Sequence, residues 1–296
     1  MRIVSLLPSA TEILFELGVG EQVVGVTFEC DFPPEARRKR IVSTSALPEG
    51  LTPAEIDAVV KERMAAGEDL YRLDRGAFAD LDPTLVVTQD LCAVCAVDVS
   101  EVDEAIAWLG CSAEVLTLDP STLDEVIDSV TTVGATTATS ERAAGIVDSC
   151  RQRLAVVAAT LEGGRRRPTL VLEWTAPAFT AGHWVPDLVV AAGGEAVLGR
   201  PGDKSVGVDW DEVGACAAEV VIVAPCGFRL DGAAELATHV VAAALQPEGA
   251  EVWAVDADAF VVRPGPRVVE GVETFASILH PDHCGAPSPA AATRIA

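Results

Sequence analysis

Tyrosine is nearly absent from this chain, with one in 296 residues. Methionine (two), histidine (four) and basic residues (21 Lys plus Arg against 45 Asp plus Glu) are also scarce. Each shortage excludes something. A formal net charge of −24 leaves no basic face for a phosphate backbone, so nucleic acid is excluded as a partner, and anionic membrane surfaces are disfavoured. The longest apolar runs, around Leu188–Ala192 and Val220–Ala224, fall far short of the roughly 18–20 residues that span a bilayer. The first residues carry no basic n-region, apolar h-region and cleavage site, and Met1 leads almost directly into an apolar run, so a cytoplasmic location is expected. In that setting the eight cysteines read as reduced small hydrophobes rather than a disulfide framework.

Most signatures of catalysis and cofactor binding are missing as well. Gly199–Ser205 reads GRPGDKS, which lacks the G-x-x-x-x-G spacing that wraps phosphates, and Gly18, Gly20 and Gly25 have neither the spacing nor the preceding strand of a dinucleotide fingerprint. No nucleotide is expected. There is no G-x-S-x-G elbow and no H-E-x-x-H. His183, His239, His280 and His283 are too scattered, apart from the last two, to build a metal cage, so no structural metal is expected.

What is present is a regular alternation. Short apolar runs at Ile3–Leu7, Val23–Thr27, Leu85–Thr88, Val115–Leu118, Thr169–Glu173, Val220–Val223 and Val252–Val255 alternate with helical patterns, the signature of βαβ units and a mainly parallel sheet. Ser9 and Thr11 can cap a helix from Glu12 to Leu17 that Gly18 stops. A capped helix from Ser121 to about Gly134 is followed, after Thr136–Ser140, by an uninterrupted helical pattern over Glu141–Leu161. Its length, about 30 Å at roughly 1.5 Å per residue, suits a connection between two lobes. The predicted organisation is an N-terminal α/β lobe over residues 1–120, connecting helices over 121–167 and a C-terminal α/β lobe over 168–296, with a frayed tail after Cys284.

In an open α/β sheet the strand ends face the ligand crevice, and here they carry the aromatic residues. Phe28, Phe32, Tyr71, Trp174, Trp184, Trp210 and Phe228 fall in or beside turns, whereas Trp108 and Trp253 read as core. Aromatic rings with one wet edge suit a large, flat, amphipathic ligand. Cys92 and Cys95 form a C-x-x-C in TQDLCAVCAV, just beyond Leu85–Thr88. Buried structural thiols, contact with a ligand, and redox or metal chemistry all fit that spacing. His183, in a turn after Glu173 and Trp174, is an ordinary loop residue or a weak candidate axial ligand to a bound cobalt or iron.

The segments SLLPSATEILFELG (Ser5–Gly18), CDFPPEA (Cys30–Ala36), LEWTAPAFTAGHW (Leu172–Trp184), AAGG (Ala191–Gly194), APCGF (Ala224–Phe228) and RPGPR (Arg263–Arg267) resemble the class III solute-binding proteins of ABC importers that carry cobalamin, siderophores and haem. The resemblance runs from Arg2 to Pro281, and LYRLD (Leu70–Asp74) with the C-x-x-C stretch is similar to the signal-less cobalamin-binding branch. It implies two Rossmann-like α/β lobes joined by a spine helix, with a ligand cleft between them. It also implies ligand contacts from Ser9, Phe28, Glu29, Phe32, Tyr71, Gln89, Asp90, Leu91, Trp174, His183, Trp184 and Phe228. The absence of a D-x-H-x-x-G motif implies that a bound corrinoid keeps its own lower base. The expected function is non-catalytic binding of cobalamin or a precursor, as a carrier, buffer or sensor or as a solute-binding component that meets an ABC permease or a corrinoid-using enzyme. Haem or a ferric siderophore is the alternative ligand. An alternative of another class is an enzyme that modifies its ligand with Cys92 and Cys95 or with Glu29 and Glu173.

Overall fold

The computed structural model describes residues 1–66, 68, 70–89 and 113–296. The chain divides into two compact units, one of Met1–Asp119 with Ser129–Gly145 and the other of Pro120–Asp128 with Ile146–Ala296. Each unit is an α/β sheet with its own core.

The first unit carries strands β1 (Ile3–Ser5), β2 (Val23–Thr27), β3 (Arg40–Ser45), β4 (Tyr71–Leu73), β5 (Leu85–Thr88) and β6 (Glu114–Thr117) in the order β4-β3-β2-β1-β5-β6. All neighbours are parallel except β3 and β4. Central strands are buried along their length, as Leu85–Thr88 is, because a parallel sheet is covered on both faces. Val4, Leu6, Val42, Phe78 and Val86 form its core.

Helix α1 (Pro8–Glu16) starts earlier than the capping residues suggest, with Pro8 in its first turn and no side-chain cap. Proline has no N–H to lose there, and Thr11 is left to bond elsewhere. Gly18, at φ +80°, ends the helix as expected. Helix α2 (Pro53–Ala66) opens on a reciprocal pair: Glu55 Oε2 accepts from Thr52 N (2.8 Å), and Glu55 N donates to Thr52 Oγ1 (3.4 Å). Helix α3 (Arg75–Ala79) is capped by Asp74.

Helices α4 (Leu123–Thr136) and α5 (Ser140–Thr160) lie where the periodicity places them, and the division between the units runs through both. The second unit continues with β7 (Arg167–Thr175), β8 (Ala178–Thr180), α6 (Val185–Ala191), β9 (Gly194–Ala196), α7 (Trp210–Ala215), β10 (Val220–Val223), α8 (Leu230–Ala242), β11 (Glu251–Val255), α9 (Ala257–Phe260), α10 (Val268–Leu279), α11 (Pro281–Cys284) and β12 (Ala292–Arg294). Its sheet order is β12-β11-β10-β7-β8, with β9 also paired to β7. Leu170, Leu172, Val221, Val223, Ala237 and Val252 lie at the centre of its core.

Two sequence expectations fail in informative ways. The tail after Cys284 does not fray: β12 pairs antiparallel with β11, Trp253 opposite Arg294 and Val255 opposite Ala292, and Ile295 packs on the core. Strands β3, β4, β8, β9 and β12 carry no apolar run because they are short or half-exposed, as the buried Val42 and Ser43 between exposed Ile41 and Thr44 show.

Two glycines in the helical pair give a paired test. A Cβ on Gly134 would overlap the Ala143 Cβ, whereas one on Gly145 meets nothing within 4 Å. Gly145→Ala should stabilise the protein by about 0.5–1 kcal/mol through helix propensity. Gly134→Ala should destabilise it by about 1–3 kcal/mol through overpacking. Urea unfolding of both variants checks the opposite signs.

Candidate functional site

Parallel pairing collects the carboxyl ends of β1, β2 and β5 at one edge of the first sheet: Ser5 stands opposite Val26 and Val87. Because β4 runs antiparallel to β3, its first residue, Tyr71, stands opposite Ser45 and so returns to that same edge. There the structure brings together three of the predicted contact residues. The rings of Phe28 and Tyr71 are 6.0 Å apart and tilted by 40°, and the Tyr71 hydroxyl donates to Glu29 Oε2 at 3.0 Å. Phe28 is 39% and Phe32 42% exposed, large apolar surface for a turn, while Tyr71 is buried.

The turn that carries them is held from below by a polar chain that the sequence analysis did not anticipate. Thr11 Oγ1 lies 3.0 Å from Cys30 Sγ and 2.8 Å from Ser5 Oγ, and Ser5 Oγ donates to Leu7 O at 3.1 Å. One assignment giving each hydrogen a single acceptor runs from the Cys30 thiol through Thr11 and Ser5 to Leu7 O. Thr27 and Ser43 add a second buried hydroxyl pair at 2.6 Å. Ser9 and Gln89 are buried at this edge of the unit, in the first turn of α1 and just past β5. Asp90, Leu91, Cys92 and Cys95 lie outside the described residues, and so does Trp108.

In the second unit the corresponding edge holds Trp174, near the end of β7, against Phe228, which follows β10. Their rings meet edge to face at 5.6 Å and 65°, and both are half-buried. The Trp174 indole N–H donates to Ala176 O at 3.1 Å. Phe228 has room for its ring because Gly232 has no Cβ, which would fall 2.6 Å from Phe228 Cδ1. Glu173, buried beside Trp174, accepts from Gly182 N at 3.2 Å through Oε1.

Trp184 and His183 are placed differently from the expectation of a wet edge. Trp184 is 7% exposed and its indole N–H donates to Val261 O at 2.7 Å, so its polar atom is satisfied inside the unit. His183 has φ +51° and a buried Nε2 without a partner among the described residues. Burial first, and then the charge of Lys204, hold its pKa below the ordinary histidine value. Its Nε2 is closed off from solvent in this conformation. Among the described residues no three His, Cys, Asp or Glu side chains come together as a metal site, none of the five described cysteines is in a disulfide, and no helix is long and apolar enough to cross a membrane. Trp210 packs on the second core from α7, and the Trp253 indole N–H donates to Glu251 Oε2 at 3.2 Å.

Each of the two open α/β units gathers aromatic side chains at the carboxyl edge of a mainly parallel sheet, where ligands of such sheets bind. Comparison with known proteins agrees. The family model described as periplasmic binding protein matches residues 3–247. Among solved structures, the periplasmic vitamin B12 binding protein BtuF of Vibrio cholerae is 21% identical with a TM-score of 0.63, over 94% of this chain and 96% of that one. A periplasmic haem-binding protein from Pseudomonas aeruginosa is 17% identical with a TM-score of 0.72, over 100% and 98% of the two chains. The haem-binding protein RhuT from Roseiflexus sp. RS-1 is 21% identical with a TM-score of 0.68, over 96% and 98%. No curated protein sequence matches the chain significantly. The chain belongs to the periplasmic binding protein family.

The two tryptophans should separate in mutagenesis. Trp184→Ala removes a buried ring and orphans Val261 O, at a cost of about 3–5 kcal/mol. Trp174→Ala, at a half-buried position with a local partner, should cost less than about half of that. Thermal unfolding of both variants checks the difference.

Proposed function

We propose that this protein is a non-catalytic carrier of a corrinoid, cobalamin or a precursor, held against aromatic side chains at the carboxyl edge of a sheet. The observation that carries the reading is the pair of aromatic contacts, Phe28 with Tyr71 and Trp174 with Phe228. Rigid rings at strand ends offer contact area at low entropic cost to a flat macrocycle, and the polar atoms beside them suit its fringe of amides. Charge favours a corrinoid over haem. A chain of net charge −24 repels a ligand with two carboxylates more than one whose side chains are neutral amides. The family's members of known name bind both kinds of ligand, as the vitamin B12 and haem proteins above do.

Haem is the second reading, and one observation favours it. The single tyrosine donates its phenol hydrogen to the Glu29 carboxylate, and a phenol that can pass its proton to a neighbouring carboxylate can ligate ferric iron.

Titration with hydroxocobalamin, adenosylcobalamin and haemin, followed by gel filtration, decides between them. The expected result is a stoichiometric corrinoid spectrum that co-elutes with the protein. Trp174→Ala should then weaken binding by about 1–3 kcal/mol, a factor of roughly 5–150. Retention of haemin with no retention of either corrinoid, and loss of the haem spectrum in Tyr71→Phe, would overturn the corrinoid reading in favour of the second.

A further inference from the structure

The loop from Gly199 to Val208 forms a strap along the segment Ala178–Trp184. Val208 N donates to Ala178 O (2.9 Å), Thr180 N to Val206 O (3.0 Å), Ser205 Oγ to Thr180 O (2.7 Å), His183 N to Asp203 O (2.6 Å) and Gly202 N to His183 O (3.0 Å). Phe179 and Gly207 add an isolated antiparallel bridge. The approach is so close that any Cβ on Gly182 would collide with the Ser205 backbone, and one on Gly199 would fall 2.6 Å from Ala181 O. Backbone-to-backbone seams of this kind require glycine on the crowded side.

His183 sits in this seam. Both of its backbone polar groups are given to the strap, its φ is +51°, and its ring lies against Trp184 with centroids 5.9 Å apart. Its Nε2 is buried and has no hydrogen-bond partner among the described residues. A buried nitrogen that lacks a partner is costly when neutral and costlier when charged. The surroundings sharpen the difference. Lys204, on the strap, opposes a second positive charge. Glu173, from β7, gives its Oε1 to the Gly182 amide. Asp187, from α6, gives Oδ2 to Leu123 N at 3.0 Å, and Arg200 and Asp203 are the strap's other charged residues.

We propose that the Gly199–Val208 strap is a proton-operated latch, closed over Ala178–Trp184 while His183 is neutral and released when His183 takes up a proton. The inference does not depend on which ligand the protein carries. Its sign follows from linkage: the opened form binds the proton with an ordinary histidine pKa of about 6.5, the closed form binds it less well, and so closure is complete above that value and is lost as pH falls. One proton limits the change to about tenfold in the closed-to-open ratio per pH unit.

Hydrogen exchange of the full chain, compared between about pH 7.5 and about pH 5 after correction for intrinsic rates, tests the latch. In the wild type, amides of residues 178–184 and 199–208 should lose protection in acid by up to about tenfold per pH unit, while those of β10 do not. His183→Asn, which stays neutral and tolerates positive φ, should abolish that pH dependence. Lys204→Gln, a change in the loop, should shrink it by removing the like charge. A wild-type strap indifferent to pH, or an unchanged response in His183→Asn, would overturn the proposal. If His183→Asn does not fold, a His183 imidazole NMR titration with a midpoint at or above the ordinary value would overturn it equally.

Discussion

Parallel strand pairing is the constraint from which the rest of this structure follows. With β1 beside β2 and β5, and β7 beside β10, these parallel strands deliver their carboxyl ends to one edge of each sheet, and both faces must be covered by other elements. Side chains within the strands are therefore committed to the core, as the fully buried Val220–Val223 shows. The candidate contact residues accordingly lie at strand ends, as Tyr71 and Trp174 do, and in the turns just beyond. Antiparallel β4 extends the rule, because reversing one strand returns its first residue, Tyr71, to the edge where its neighbours end.

An edge made of turns needs reinforcement, and the two units supply it in different ways. In the first, buried hydroxyls and a thiol fasten the Phe28–Phe32 turn to α1 and β1 through Thr11. Polar groups that would be costly alone become inexpensive when each satisfies the next. In the second, the main chain does the work. The Glu173 carboxylate and the strap carbonyls take up the amides of Gly182 and His183, so the turn is positioned by backbone groups that only the absence of a Cβ allows to approach.

How much of this the sequence shows depends on how local each interaction is. Strands such as Leu85–Thr88 and Val220–Val223 are legible because continuous apolar runs have one use in a covered sheet. The helix end at Gly18 is legible because few other residues accept its φ. Edge strands such as Ala292–Arg294 are not, since their pairing partner is distant and their side chains are small or polar. Trp174 and Trp184 look equivalent in sequence, each beside a turn. The first bonds to Ala176, two residues on, and the second to Val261, 77 residues away, so only the fold reveals that one ring is half-exposed and the other buried.

The charge balance bears on what the exposed rings can recognise. Arg37, Arg40, Arg151, Arg153, Arg165, Arg167, Arg263 and Arg294 each face a carboxylate. The exposed pairs among them contribute only about 0–1 kcal/mol each to stability, but together the pairs neutralise a large share of a small stock of basic residues. With acidic groups in more than twofold excess, charge attraction is a weak means of holding an anion. On the proposed reading, recognition falls to ring faces and to hydrogen bonds from the turns, which suit a ligand with flat area and neutral polar edges.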